Sequence, residues 1–149
     1  MSYTLKDGYC EILRVPSEAR RGDAVAAEVL KQGMAATIAD DGSGNGEASK
    51  ASGTGNYDVY FVKKYGRDEV TQLYNGNSIE TVAIGERFVA IQGGTIAIDQ
   101  YVGSIGDYDI GDLLEVDAGL VTNYNATPVG DPVAVVEGKD YDKLIIRIL

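Results

Sequence analysis

The last third of the chain, Gly111 to Leu149, constrains the fold most, because its apolar residues occur in short runs separated by turn-forming residues. The runs are Leu113-Leu114, Leu120-Val121, Val133 to Val136 and Leu144 to Leu149, with Gly, Asp, Asn and Pro between them. Such spacing is typical of successive short strands joined by tight turns. The sequence therefore predicts a mainly β protein, built as a small barrel or sandwich of short strands.

Strand signals also occur earlier in the chain. Residues 9–15 are predicted to form a strand that ends before a proline, and residues 57–66 a strand rich in aromatic side chains and valine. Residues 24–30 fit either a short helix or a strand, and we favour the strand. Asn75-Gly76 and Gly93-Gly94 lie between apolar runs, where hairpin turns are expected.

The composition changes most sharply at residues 40–56, which are almost entirely Gly, Ser, Ala, Asn and charged residues. A segment of this kind buries too little apolar surface to order itself, so we predict a long, flexible, exposed loop. At 149 residues the chain is most simply a single β domain containing that loop. Alternatively, residues 40–56 are a linker, and two small lobes comprise residues 1–39 with 57–100 and residues 101–149.

The charge balance is strongly acidic, with a formal net charge of −10 at pH 7. Residues 101–149 alone hold nine acidic and three basic side chains. A surface of this charge repels phosphate groups, so we do not expect nucleic-acid binding. No apolar stretch is long enough to cross a bilayer, and the N-terminal residues do not have the pattern of a cleavable signal, so we expect synthesis in the cytoplasm and no membrane partner.

The residues that usually perform catalysis are scarce. The chain contains no histidine, which removes the usual general base and the commonest metal ligand. Its single cysteine, Cys10, lies in the first predicted strand, where a buried structural thiol is expected. No phosphate-binding glycine loop follows a strand and opens a helix. We therefore predict a protein that is not an enzyme and has no cofactor.

The segment that begins at Asp41 matches the start of a calcium-binding EF-hand loop. Asp41, Ser43 and Asn45 stand at alternate positions, and a glycine follows where such loops turn sharply. The position where a glutamate would close the calcium shell is Ser52, and neither flank resembles a helix. A solvated glycine-rich loop therefore accounts for these residues better than a metal site does.

Asp107, Asp109 and Asp112 form a second acidic cluster. Carboxylates this close in sequence are suited to holding a divalent cation or sharing a proton. Aspartate is also the residue expected in a turn between strands, because its side chain accepts hydrogen bonds from neighbouring amides. We favour the turn and assign no metal ligand.

The C-terminal third resembles the corresponding part of small decoration, or cement, proteins of tailed-bacteriophage heads. The resemblance rests on Gly111-Asp112 at a strand start, on the turn at Asp117 to Leu120, and on Pro128-Val129-Gly130 leading through Val136. The terminal strand of residues 143–149 is also similar, and residues 88–94 show a looser likeness.

This resemblance implies a structural virion protein that binds the outer surface of a phage head and stabilises the capsid lattice. Its implied partners are the major capsid protein and further copies of itself, with a trimer favoured, and its implied location is the capsid exterior. Many copies that each bridge neighbouring subunits would add to the work needed to separate them.

The resemblance also directs attention to residues that contact partners. Capsid contacts are expected from basic residues of the N-terminal segment, namely Lys6, Arg14, Arg20 and Arg21. Subunit contacts are expected from tyrosines in the middle of the chain, namely Tyr57, Tyr60, Tyr65 and Tyr74. The alternative is that these charges are solvated on an ordinary strand and that some of the tyrosines pack in the core.

A second function fits the same composition, namely a free β-barrel module that binds a carbohydrate or a divalent cation. A carboxylate-based hydrolase is the third alternative, and it would use Asp107, Asp109 and Asp112.

Overall fold

The computed structural model describes residues 8–14, 20–40, 42–43, 46–51, 59–64, 81–125 and 131–149. These residues form a mainly β structure with a single short 3₁₀ helix at Ile105–Asp107, which confirms the predicted fold class. No helix among them has the length and apolar character needed to span a bilayer. The strands are β1 (Cys10–Arg14), β2 (Arg20–Ala26), β3 (Leu30–Lys31), β4 (Ala35–Asp40), β5 (Gly46–Lys50), β6 (Tyr60–Lys64), β7 (Thr81–Val82), β8 (Arg87–Gln92), β9 (Gly94–Ile98), β10 (Leu113–Asp117), β11 (Leu120–Asn123), β12 (Ala134–Asp140) and β13 (Lys143–Ile148).

Five strands close into a barrel in the order β2-β5-β4-β6-β8, and β8 pairs back onto β2. The pairing is antiparallel except between β2 and β5, which run parallel. A barrel of so few strands has a narrow interior, and small side chains are needed to fill it without strain. Alanines supply much of that interior, together with a few larger residues. The buried residues of the barrel cluster are Ala24, Ala26, Leu30, Met34, Ala36, Ala48, Val62, Val82, Phe88 and Ala90.

The prediction that residues 40–56 form one long exposed loop is wrong for residues 46–51, and residues 52–56 lie outside the described residues. Residues Gly46–Lys50 are strand β5, which pairs with β4 and β2 inside the barrel. Ala48 is buried in the barrel cluster, because a narrow barrel accommodates alanine where a longer apolar side chain would not fit, and Ala51 is buried in the cluster that the barrel exterior shares with the sheet. Among the described residues of this segment, Gly42 and Ser43 keep the predicted exposed character, and the Gly42 N–H donates to Asp40 Oδ1 at 2.7 Å.

The remaining long strands form a six-stranded antiparallel sheet in the order β1-β9-β13-β12-β10-β11. The four strands β10 to β13 coincide with the four apolar runs of the C-terminal third, so the strands predicted there are confirmed. The turn between β10 and β11 contains Ala118 and Gly119, both with positive φ, as a two-residue hairpin requires. In the alternative with two lobes, a boundary near residue 100 would place β9 and β13 in different lobes. These two strands pair with each other in one sheet, so the boundary does not follow the division between the barrel and the sheet.

One face of this sheet packs against the outside of the barrel. Phe61 pairs with Ala35 on one side and Ile91 on the other, so the three side chains form a row on the barrel exterior. All three belong to the same buried cluster as the inward side chains of the sheet, including Ile96 and Ile146. The barrel and the sheet therefore share one hydrophobic core.

The Gly93-Gly94 pair is not a hairpin turn, contrary to the prediction. β8 pairs with β2 and β6 in the barrel, whereas β9 pairs with β1 and β13 in the sheet. Both glycines have φ near +90° (91° and 93°), a conformation that glycine adopts without steric cost. They let the chain pass abruptly from the barrel into the sheet. Asn75-Gly76 lies outside the described residues.

The strand predicted at residues 9–15 is confirmed by β1. Of residues 24–30, the first three belong to β2 and Leu30 belongs to β3, so the favoured strand is confirmed in part and the alternative of a helix is wrong. Cys10 begins β1 and is buried, and this burial raises the pKa of its thiol to about 12. Its carbonyl oxygen accepts a hydrogen bond from Lys63 Nζ at 2.8 Å, which links β1 to the barrel strand β6.

Gly33 is a further link between the two parts of the core. Its φ is +87°, and a Cβ at this position would collide with the carbonyl oxygen of Tyr9 and crowd Ile98. Gly85 has a similar φ of +82°, but no atom lies within 4 Å of where its Cβ would be.

We predict that Gly33→Ala destabilises the protein more than Gly85→Ala. Both substitutions carry the conformational cost of a positive φ, about 1–2 kcal/mol, and the collision at Gly33 adds about 1–3 kcal/mol. Denaturant unfolding of the two variants measures the difference. Equal losses of unfolding free energy would show that the approach of Tyr9 to Gly33 does not constrain the fold.

Candidate functional site

A cleft opens where the turn between β12 and β13 faces the segment that follows β9. Its volume is about 1130 Å³, which is at the upper end for small-molecule sites. Loops and strand ends from both the barrel side and the sheet side contribute to it. The lining residues are Lys31, Met34, Gln100, Tyr101, Gly103, Ser104, Ile105, Leu120, Tyr141 and Asp142.

Tyr101 forms a fixed aromatic wall of this cleft. Its ring meets Tyr108 edge to face, with 5.5 Å between the centroids, and its hydroxyl donates to the Asp142 carbonyl oxygen at 2.8 Å. Burial raises the pKa of Tyr101 to about 12, and the nearby Asp142 carboxylate adds to the effect. Tyr108 is held in turn by its hydroxyl, which donates to the Val102 carbonyl oxygen at 2.6 Å. The wall is therefore rigid and uncharged at neutral pH.

Asp142 supplies a carboxylate at the opposite rim. Lys143 Nζ lies 2.8 Å from Asp142 Oδ1, and this hydrogen bond lowers the pKa of the carboxyl group. The same ammonium group lies 4.8 Å from the centre of the Tyr9 ring, within range of a cation–π interaction. Asp142 is thus ionised at neutral pH and oriented by a neighbouring cation.

A buried polar pair stands at the inner end of the cleft. Gln100 is 2% exposed, and its Nε2 donates to Asp99 Oδ1 at 2.9 Å. Asp99 Oδ2 accepts a hydrogen bond from the Gly8 N–H at 3.1 Å. Buried polar groups must be hydrogen-bonded, so this pair fixes the backbone from which Tyr101 projects.

Tyr141 projects from the turn at the rim of the cleft. Its side chain is 94% exposed, and its φ of +56° places it in the left-handed region that residues other than glycine rarely occupy. Tyr141 follows Asp140, which pairs with Lys143, so it occupies the first position of a two-residue hairpin turn, where a positive φ is expected. The exposure of this large aromatic side chain at the rim of the cleft marks it as a candidate contact residue.

Among the described residues that line the cleft, Asp142 is the one that carries a carboxylate. A glycosidase-type site would need a second carboxylate within about 5–10 Å of it. Across the described part of the chain, no three acidic, cysteine or histidine side chains are grouped as a metal site would require.

The acidic cluster after β9 is a pair of capped turns. Asp107 Oδ2 accepts from the Ser104 N–H at 3.0 Å, and Asp112 Oδ2 accepts from the Asp109 N–H at 2.9 Å. These hydrogen bonds are the ones expected of aspartate in turns, because each carboxylate accepts from a backbone N–H three residues before it. Asp41, the other candidate metal ligand, lies outside the described residues.

Arg14 and Tyr60, two of the predicted contact residues, are not among the residues that line the cleft. Arg14 is exposed at the end of β1, while Arg20 and Arg21 start β2, opposite Gln92 and Ile91. Tyr60 is half-buried against the barrel cluster, so part of its ring serves internal packing. Four more candidates lie outside the described residues, namely Lys6, Tyr57, Tyr65 and Tyr74. Their roles in capsid or subunit contact remain predictions.

The residues that form the cleft were not singled out from the sequence. Tyr101 and Tyr141 are 40 positions apart in the chain, and they line the same cleft because β9 and β13 are neighbours in the sheet. The local signal at Tyr141 was the sequence Asp-Tyr-Asp between two strands, which marks a hairpin turn with an aromatic residue at its tip.

No protein-family profile matches this chain, and no curated protein sequence matches it. Among solved structures, it is similar to the N base of the head fiber protein gp8.5 of bacteriophage phi29. The TM-score is 0.54, the sequence identity is 13%, and the match covers 88% of this chain and 94% of that chain. The two chains therefore share a fold over nearly their full lengths.

We predict that stability falls as the pH rises from about 10 to about 12, in part through Tyr101. Its phenol has a pKa of about 12 when folded, against an ordinary value of 10.0, so the unfolded chain loses the proton first. The stabilisation is complete below pH 10 and disappears as the pH approaches the folded value. Denaturant midpoints of the wild-type protein and Tyr101→Phe, compared across this range, measure the contribution.

Tyr141→Phe is the matched control, because its side chain is 94% exposed and buries no phenol. Equal pH dependence in the wild type, Tyr101→Phe and Tyr141→Phe would contradict the assignment to Tyr101.

Proposed function

We propose that this protein is a structural component of a bacteriophage head that attaches to the outer surface of the capsid and has no catalytic role. The observation that carries the proposal is the fold shared with the N base of a phage head fiber protein, over 88% of this chain. The predicted resemblance of the C-terminal third to head decoration proteins points to the same location, from sequence motifs and independently of the fold comparison.

Several physical features support attachment over catalysis. The barrel and sheet share one continuous core, which gives a rigid body suited to bridging neighbouring subunits. The cleft presents fixed aromatic rings and a single carboxylate, an arrangement that suits contact with another molecule. A turn that holds Tyr141 outward at 94% exposure offers an aromatic anchor of the type enriched at protein interfaces.

The finer part of the proposal is that attachment stabilises the capsid. A protein that binds only the assembled lattice shifts the equilibrium towards the assembled state, and the effect grows with the number of copies bound. The proposed partner is the major capsid protein, and several copies of this chain acting together would increase the avidity.

The test uses heads of the phage that encodes this chain, assembled in its absence. We expect the purified protein to cosediment with these heads and to raise the temperature at which they release their DNA. An unrelated acidic β protein of similar size serves as the control for non-specific adsorption. Absence of cosedimentation would overturn the proposal as a whole, and attachment without a gain in heat resistance would overturn the stabilising role.

The cleft favours one second candidate function, which is binding of an oligosaccharide. The exposed Tyr141 ring is suited to stacking on the apolar face of a sugar, and the Asp142 carboxylate and Ser104 hydroxyl are suited to the sugar hydroxyls. This function predicts a rise in melting temperature with maltotriose or chitotriose and no phage particle present, lost in Tyr141→Ala and retained in Ile84→Ala. No shift at millimolar sugar would count against it.

A further inference from the structure

The outer face of the six-stranded sheet carries an exposed apolar patch near the start of β10. Leu113 pairs directly with Val135, and Val135 pairs with Arg147, so their side chains lie on one face. That face is opposite to Ala134 and Val136, which are buried in the core. Leu149 continues the alternation two residues after Arg147, and its N–H donates to the Val133 carbonyl oxygen at 2.9 Å.

The apolar side chains of this patch are well exposed. Leu113 is 43% exposed and Leu149 is 56% exposed, while Val135 between them is half-buried. Ile110, at 75% exposure, lies beside them in the turn that leads into β10, where the Gly111 N–H donates to the Val136 carbonyl oxygen. Single exposed apolar residues are ordinary, but a contiguous group marks a contact surface.

Carboxylates flank this patch on several sides. They are Asp109 and Asp112 in the turn, Glu115 on β10, Asp131 before β12 and Glu137 on β12. Among the described residues, the ion pair at the patch joins Arg147 Nε to Glu137 Oε2 at 3.2 Å. The surroundings are therefore strongly negative around an apolar centre, and we call this surface the acid-flanked patch.

We propose that the acid-flanked patch is the docking surface for an apolar segment of a partner protein that carries lysine or arginine residues beside its apolar side chains. The proposal deepens the proposed function and rests on it, since the partner there is the head surface. Contact between the apolar side chains removes apolar surface from water and so favours binding. The flanking carboxylates favour a basic partner over an acidic one and increase the rate of association.

The charges argue against a second copy of this chain as the occupant. A two-fold contact would place the patch of one copy on the patch of the other and set their carboxylates against each other. Like charges brought together in this way oppose association, whereas a basic partner is attracted by the same groups.

The first test measures binding of labelled peptides to the full chain by fluorescence anisotropy. The probes are alternating Lys-Val, Glu-Val and Lys-Ser octapeptides, which separate the need for positive charge from the need for apolar side chains. We expect the Lys-Val peptide to bind and the other two to bind far less, with an affinity that falls as salt is added. Equal binding of the Lys-Ser and Lys-Val peptides would overturn the proposal, because charge alone would then account for it.

Matched variants localise the binding to the patch. We expect Asp131→Lys and Leu149→Ser each to weaken Lys-Val binding by about threefold to tenfold. Each control makes a matching change away from the patch. Glu47→Lys on strand β5 reverses an acidic charge, and Ile84→Ser replaces an apolar side chain that is 68% exposed. Losses of equal size in the controls would overturn the assignment to the patch.

The same four variants are then tested for cosedimentation with heads that lack the protein. Loss of attachment in Asp131→Lys and Leu149→Ser, but not in the controls, supports the proposal. If all four attach as the wild type does, the patch is not the contact surface, although the proposed function stands. If the wild type fails to attach but still selects the Lys-Val peptide, the proposed function fails while the chemistry of the patch is supported.

Analytical ultracentrifugation of the wild type and Leu149→Ser tests the alternative that a second copy of this chain occupies the patch. A dimer or larger species of the wild type that Leu149→Ser abolishes would show that a second copy covers the patch and would overturn the proposal. Unchanged sedimentation of the two proteins supports a different partner.

Discussion

The packing of the barrel exterior against the inner face of the six-stranded sheet is the interaction on which the rest of the structure depends. Phe61 and Ile91 on the barrel are buried together with Ile96 and Ile146 on the sheet. Full burial of each such side chain contributes about 1.5–3 kcal/mol relative to exposure. Five of the ten described buried residues of the barrel cluster are alanines, so contact with the sheet adds substantially to the apolar surface that the barrel buries.

This packing also determines where the molecule can contact others. One face of the sheet lies in the core, and part of the other face, at Leu113 on β10, is exposed, whereas Thr95 and Ala97 of β9 are buried on that other face. The cleft forms beside the junction, where Met34 and Lys31 from the barrel side approach Tyr101 and Leu120. Both the cleft and the acid-flanked patch are therefore consequences of joining two β units through one shared core.

The sequence was informative wherever large apolar residues alternate with turn residues. The strands of the C-terminal third and β1, β2 and β6 were predictable for this reason. Strand β5 was not predictable, because Gly-Glu-Ala-Ser-Lys has the composition of a loop and becomes a strand only through partners supplied by β4 and β2. The Gly93-Gly94 crossover looked like a hairpin, since local sequence does not record which sheet a strand joins. The cleft depends on the same long-range pairing, so its residues carried almost no local signal.

The hydrogen bond from Lys63 Nζ to the Cys10 carbonyl oxygen has a consequence for the edge of the sheet. β1 is an edge strand that pairs with β9 on one side, and exposed strand edges are templates for uncontrolled stacking of chains into fibrils. An ammonium group at the start of that edge occupies a backbone acceptor and makes addition of a foreign strand electrostatically and sterically unfavourable. At this edge of the described sheet, Lys63 thereby opposes pairing with a strand of another chain.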